Sequence, residues 1–151
     1  MSQLKDQIQA DLKEAMLARD ALRTQTLQGL KAAILNEEVA KKVREEGLDD
    51  AAIEQLVARE AKKRDEAAGL FEQGGNQESA DKERAEKEIL SVYLPEQLSE
   101  EEVAKLIDEV IAEVNPAGPG DMGKVIGGVK ARAGNTADGA TVARLVKEKL
   151  Q

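Results

Sequence analysis

Apolar residues recur every three or four positions along most of the chain, which is the spacing of one face of an α-helix. The stripe Leu4, Ile8, Leu12 and Met16 predicts a first helix over about 3–18. The next stripe predicts a helix over about 21–46 that ends at Gly47, since glycine suits the left-handed conformation after a helix. Third and fourth helices are expected between Asp49 and Gly74 and between Asn76 and Tyr93. The fourth has large apolar residues only in its last two turns, so we expect it to pack only there.

The helical pattern breaks at 94–98, because Pro95 disfavours helical geometry at the residue before it. Ser99 and Glu102 then have the spacing of a capping box and begin the most amphipathic stretch of the chain. Asp121 and Asp138 are the expected N-caps of two further helices. The pattern predicts an all-α protein, with N-terminal antiparallel helical hairpins in residues 1–94 and a small three-helix C-terminal bundle in residues 95–151.

Composition narrows the chemistry available to this fold. The 151 residues include no Cys, His or Trp, one Phe and one Tyr. These absences exclude thiolate and imidazole catalysis, zinc–thiolate sites and an aromatic platform for stacking bases. We therefore predict no catalytic residue, no cofactor and no metal site. No apolar run is long enough for a membrane helix and no signal-peptide pattern follows Met1, so we expect a cytoplasmic protein without membrane contact.

Two local motifs suggest catalytic or nucleotide chemistry and are better explained structurally. The segment 118–124 has the glycine and lysine spacing of a phosphate loop, but Val125 stands where serine or threonine would bind Mg²⁺, and no strand precedes it. Ser91 follows Lys87 by one helical turn, which is the spacing of a Ser–Lys dyad. Both residue types are common on exposed helix faces, so we interpret the first motif as a loop between helices and the second as surface.

Charge is distributed unevenly along the chain. The net charge is −8, yet residues 120–151 contain six basic and three acidic side chains, a local charge of +3. Helical geometry turns the basic residues of this segment away from its apolar faces, where they could surround two adjacent helix ends and contact phosphates. The predicted nucleic-acid-binding residues are Lys124, Lys130, Arg132, Arg144 and Lys147. The open alternatives are an ordinary solvated surface or a contact with a protein partner.

Two long blocks carry a family resemblance. The first is Tyr93–Glu101, and the second is Asp121–Gly127 together with Ala137–Gly139 and Leu145–Leu150. With them the chain resembles, over essentially its whole length, the YqeY family of small bacterial proteins. That family is related to the tail domain of the B subunit of glutamine-dependent aminoacyl-tRNA amidotransferase. The resemblance implies an all-helical, two-part fold whose tail engages tRNA near its outer corner, away from the chemistry.

The resemblance also carries a label, carbon–nitrogen ligase with glutamine as amido donor, which derives from the amidotransferase. The chain contains neither a kinase-like domain nor amidase serine machinery, so we expect a non-catalytic tRNA-binding accessory module. One departure concerns the loop before Ala137–Gly139, where the family has Lys-Gly-Lys/Arg and this chain has Gly134–Thr136. The open alternatives are a helical protein–protein adaptor with an acidic N-terminal interaction arm, and a subunit-like partner in an amidotransferase reaction.

Overall fold

The computed structural model describes residues 2–151, and within them the chain is helical and contains no strand. The α-helices are α1 (Gln3–Leu17), α2 (Ala21–Ala40), α3 (Asp50–Gln73), α4 (Gln77–Ser91), α5 (Glu100–Val114), α6 (Met122–Ala133) and α7 (Gly139–Leu150). Short 3-10 turns at Pro119–Asp121 and Gly134–Thr136 precede α6 and α7. The predicted all-α class is confirmed. In this part of the chain, no helix has the length and apolar character needed to cross a membrane.

Most helices begin where a polar side chain can bond the free amides of the first turn. The carboxylate of Asp49 accepts from the amide of Ala52, and Asn76 and Asp138 cap α4 and α7 in the same way. The capping box of Ser99 and Glu102 is complete at the start of α5. Asp121 occupies the N-cap position of α6, as the sequence predicts, but the predicted capping bond is wrong, because its side chain bonds no amide of α6. The carboxylate instead accepts from the amide of Ala117 at 2.8 Å.

Helix α2 ends at Ala40, six residues earlier than the sequence predicts. Lys42 takes a left-handed conformation with φ +59°. Gly47 has the expected left-handed conformation, with φ +77°, but it lies in the connection to α3 and not at the end of α2. The cause is a tertiary contact. The carboxylate of Glu38 is buried and accepts hydrogen bonds from the Lys5 ammonium at 2.8 Å and the Leu48 amide at 2.9 Å. Bringing Leu48 back onto α2 requires the chain to leave the helix soon after Glu38.

Between Leu94 and Pro95 the chain divides into two compact units, here called the N-terminal and C-terminal units. In the N-terminal unit, α1 pairs with α2 and α3 with α4. Its core lies where α1, α2, the first half of α3 and the end of α4 meet. The buried side chains there are Ile8, Leu12, Leu27, Leu30, Ile34, Leu48, Ile53, Leu56, Val57, Ala61, Leu90 and Tyr93.

Beyond this core, α3 and α4 continue as a hairpin packed along its length, so the expectation that α4 packs only at its end is wrong. Ala68 and Ala80 are fully buried, because small side chains let the two helices approach closely. Ion pairs join the same helices on the surface. They are Arg64–Glu86 at 3.0 Å, Lys87–Asp65 at 3.2 Å and Arg84–Glu72 at 2.6 Å. The count of large apolar residues did not predict the α3–α4 interface, because alanine side chains and ion pairs form it.

The C-terminal unit is a bundle of α5, α6 and α7. Its buried residues are Val103, Ile107, Val110, Val125, Val129, Val142, Leu145 and Val146. Gly128 permits close packing of α6 on α5, since a Cβ atom there would lie only 2.7 Å from Cγ1 of Val110. The amide of Leu98 donates to the carbonyl of Thr136 at 2.7 Å and ties the start of α5 to the turn before α7.

Candidate nucleic-acid interface

The five predicted phosphate-contacting residues lie on two helices of the C-terminal unit, and all are exposed. Lys124, Lys130 and Arg132 are on α6, and Arg144 and Lys147 are on α7. Buried valines occupy the inner faces of both helices, so the basic residues take the outer faces and the flanks. The helical geometry inferred from the sequence therefore agrees with the exposure of these side chains.

Arg132 is engaged by the acidic helix α5. Its guanidinium forms an ion pair with Glu113 and lies 3.9 Å from a carboxylate oxygen of Glu109. Only 35% of the Arg132 side chain is exposed, compared with 74% for Lys124. A phosphate could reach this guanidinium only by sharing it with, or displacing, the α5 carboxylates.

Arg144 is engaged at the other end of the same helix. Its guanidinium pairs with Glu100, the first residue of α5, and lies 3.4 Å from Glu148 on its own helix. Glu100 and Glu113 are separated by almost the full length of α5, which is about 20 Å at the rise of an α-helix. The two arginines therefore contact opposite ends of α5, and the five predicted residues do not form one compact cluster.

Three lysines remain more open. The ammonium of Lys124 lies 3.8 Å from Asp121, a weak contact for so exposed a side chain. Lys130 and Lys147 are exposed, and within residues 2–151 neither has a carboxylate at ion-pair distance. These three ammonium groups, here called the open lysines, can meet a phosphate without breaking a well-formed ion pair.

The charge of the unit differs from that of its last 32 residues. From Pro95 to Gln151 there are ten acidic and seven basic side chains, a net charge of −3. The net charge of +3 for residues 120–151 does not include α5. This helix contributes six carboxylates and one lysine, and it packs against both α6 and α7. The local charge of +3 therefore does not extend to the unit as a whole, and the excess of positive charge belongs to α6 and α7 alone.

Lys149 was not among the predicted contacts, although it belongs to the same helix. Its ammonium lies 2.6 Å from Oδ1 of Asp108, in the middle of α5. The sequence offered one signal for this pairing. Lys149 falls three residues after the buried Val146, on the flank of the apolar face, where a long side chain reaches a neighbouring helix.

The turn that departs from the family pattern has a structural role. Gly134–Thr136 forms a 3-10 turn whose Asn135 carbonyl accepts from the Gln97 side chain at 2.8 Å. Its Thr136 carbonyl accepts from the amide of Leu98. The turn thus joins the start of α5 to the end of α6, and without a basic side chain it adds no positive charge to the surface.

The two other motifs do not assemble into reactive sites. The Ser91 hydroxyl donates to the backbone carbonyl of Lys87 at 2.7 Å, and the Lys87 ammonium pairs with Asp65, so the Ser–Lys dyad is not formed. The glycine-rich segment 118–124 contains a 3-10 turn and the start of α6, and helix α5 precedes it. A backbone of this kind does not form the strand–loop–helix cradle of a phosphate loop.

Residues 5–150 match the family model described as Yqey-like protein. No curated protein matches the chain. The matched range covers both units and includes every helix of the C-terminal bundle. It also includes all five predicted phosphate-contacting residues and the three open lysines.

Proposed function

Because the chain belongs to the YqeY family, we propose that it is a non-catalytic accessory module whose C-terminal unit binds tRNA. The proposal follows the relation of this family to the tail domain of the amidotransferase B subunit. The carbon–nitrogen ligase label is, in this proposal, inherited from that enzyme. The protein would act in the cytoplasm, where tRNA is used.

The observation that carries the proposal is the set of open lysines on α6 and α7. Lys124, Lys130 and Lys147 are exposed ammonium groups on two helices that pack against each other. Ammonium groups of this kind contact phosphates without reading sequence, so they suit recognition of a folded RNA by its backbone.

The kind of RNA contact is limited by what the C-terminal unit lacks. The single Phe and the single Tyr of the chain are Phe71 and Tyr93, and both precede Pro95. Bases therefore have no aromatic side chain on which to stack in this unit. The proposed binding is to the shape and phosphates of tRNA, with weak dependence on its sequence.

The carboxylates of α5 limit the affinity that we expect for tRNA. A unit with a net charge of −3 attracts RNA only over the part of its surface where the lysines stand apart from the carboxylates. We expect binding that is measurable at low ionic strength and falls steeply with salt. Arg132 and Arg144 add to it only where a phosphate displaces their α5 partners.

Co-purification tests the proposal against the adaptor alternative. The full chain is isolated from its native cytoplasm, and half of the sample is treated with ribonuclease before washing. Enrichment of intact tRNA over ribosomal RNA in the untreated half supports tRNA binding. Absence of tRNA from a folded sample at low salt contradicts it. Glutamine hydrolysis that persists at constant specific activity through further purification contradicts the non-catalytic assignment.

A further inference from the structure

The tip of the α3–α4 hairpin is a well-ordered turn at the end of two long helices. The amide of Gly74 donates to the carbonyl of Leu70 at 3.0 Å, and the amide of Asn76 donates to that of Phe71 at 2.8 Å. Gly75 has φ +80°, a conformation that glycine adopts without strain. The Asn76 side chain then caps α4. Backbone and side-chain hydrogen bonds thus close the turn that follows α3.

The last turn of α3 presents two large apolar side chains to solvent. Leu70 is 68% exposed and Phe71 is 38% exposed, although Phe71 is the single phenylalanine of the chain. Ala68 and Ala80 fill the interface between the helices just below, so the hairpin packs without needing either large side chain. Phenylalanine is enriched at protein–protein interfaces, so an exposed Phe next to an exposed Leu on a hydrogen-bonded turn has the character of an interface anchor.

The charge around these side chains is predominantly negative. Residues 69–84 carry four carboxylates, those of Glu72, Glu78, Asp81 and Glu83, against two basic residues, Lys82 and Arg84. Arg84, from below the tip, pairs with Glu72. Such a surface repels the phosphates of RNA and attracts a positively charged protein surface.

We propose that this tip, residues 69–81, is a docking site for a protein that offers an apolar socket rimmed by lysine and arginine. Leu70 and Phe71 enter the socket, and the carboxylates of Glu78 and Asp81 face its rim. The site lies in the N-terminal unit and is separate from the open lysines. The docking proposal therefore uses residues other than those proposed to bind tRNA.

The test begins with photo-crosslinking in the native cells. A photo-reactive phenylalanine derivative replaces Phe71 in the full chain, and a second version carries it at the exposed Glu101 of α5. Lysates are treated with ribonuclease before the adducts are identified by mass spectrometry. The proposal predicts a protein adduct specific to position 71. It is overturned when position 71 yields no specific adduct, or yields only RNA or a second copy of this chain.

Direct binding then decides the role of the side chains. The purified protein found at position 71 is titrated with the full chain and with the Leu70→Ser/Phe71→Ser variant, for which we expect affinity at least tenfold lower. A matched control, Met16→Ser/Leu17→Ser, removes another adjacent exposed apolar pair and should leave affinity unchanged. Equal affinity of all three chains overturns the proposal.

The charge component has its own variant, which leaves the apolar pair intact. Glu78→Gln/Asp81→Asn should lower the association rate several-fold at low salt and bring it close to that of the unaltered chain at high salt. No salt-dependent difference overturns the claim of a basic rim. The Leu70→Ser/Phe71→Ser variant should keep its tRNA binding, so failure of this docking site and failure of the tRNA proposal remain distinguishable.

Discussion

The ammonium of Lys149 on α7 lies 2.6 Å from the carboxylate of Asp108 on α5. Together with Arg132–Glu113 and Arg144–Glu100, this pair lines α5 with carboxylates that hold cations from both neighbouring helices. A phosphate that approaches these cations competes with α5. The acidic helix therefore limits RNA affinity in the proposed function and leaves the open lysines as the first contacts.

Removing carboxylates from α5 should strengthen tRNA binding. In Glu109→Gln/Glu113→Gln, Arg132 loses both of its α5 partners and becomes available to a phosphate. We expect tRNA affinity to rise several-fold, and the salt dependence of binding to steepen by about one phosphate contact. Fluorescence anisotropy titrations over a range of salt concentrations measure both quantities.

The matched control is Glu45→Gln/Glu46→Gln, which changes net charge equally on exposed residues of the N-terminal unit. We expect it to leave tRNA affinity nearly unchanged. Equal gains in the two variants would mean that total charge, and not the release of Arg132, governs binding.

The close contact of α6 with α5 should make Gly128 intolerant of a side chain. In Gly128→Ala, the new Cβ would lie 2.7 Å from Cγ1 of Val110, so the Val110 side chain or the helices must shift. We expect a loss of about 1–3 kcal/mol in the free energy of unfolding, measured with urea. Gly127→Ala, one position away, has nothing within 4 Å of its new Cβ and should stabilise α6 by about 0.5–1 kcal/mol. Similar effects of both substitutions would refute the packing explanation.

The buried carboxylate of Glu38 should make stability depend on pH. Burial opposes its charged form, but the hydrogen bonds from Lys5 and Leu48 prevail and hold the pKa of Glu38 below its ordinary value of 4.5. Its contribution is complete above that value and is lost as the pH falls through the lowered pKa. We expect the free energy of unfolding to fall as the pH is lowered below 4.5 and through the lowered pKa of Glu38.

The substitution Glu38→Gln isolates this contribution. The amide oxygen can still accept from Leu48 while the charge is lost, so we expect a cost of about 1–2 kcal/mol at pH 7 that shrinks as the pH falls below 4.5. Urea unfolding at pH 7 and over a series of acidic pH values measures the difference. A cost that stays constant with pH would show that the Glu38 charge does not stabilise the fold.

The capping box at the start of α5 should contribute measurably to the C-terminal unit. Ser99→Ala removes the hydroxyl that accepts from the amide of Glu102 at 3.1 Å. We expect a loss of about 1 kcal/mol in the free energy of unfolding. Ser79→Ala, in the first turn of α4, removes a hydroxyl that has no capping role and should be nearly neutral. Calorimetry of both variants checks the prediction, which fails when Ser99→Ala is as stable as the unaltered chain.

The starts of α3, α4, α5 and α7 were predictable because a cap acts within four residues. Asp49, Asn76, Ser99 and Asp138 each bond an amide close by in the sequence, so their chemistry can be read locally. The end of α2 was not predictable. It depends on the buried Glu38, which recruits Lys5 from a different helix, and no local pattern records that contact.

In the candidate site, too, the features set by nearby residues were predictable and those set by distant residues were not. Exposure of the basic residues on α6 and α7 follows from helical periodicity, which the sequence contains. Their partners do not, since Glu100 and Glu113 are far in sequence from the arginines they hold. The net charge of residues 120–151 leaves out α5, which lies earlier in the sequence. In the bundle, however, α5 packs against α6 and α7, so its carboxylates belong to the same surface.

The salt dependence of tRNA binding by the full chain tests the central proposal most directly. Purified tRNA is titrated from low to physiological salt with the unaltered chain and with Lys124→Gln/Lys130→Gln/Lys147→Gln. The proposal predicts binding that weakens steeply with salt, and a variant with at least roughly tenfold lower affinity at low salt and a slope smaller by about two. Identical curves for the two folded proteins, or no binding by either, would contradict the assignment of tRNA binding to the open lysines.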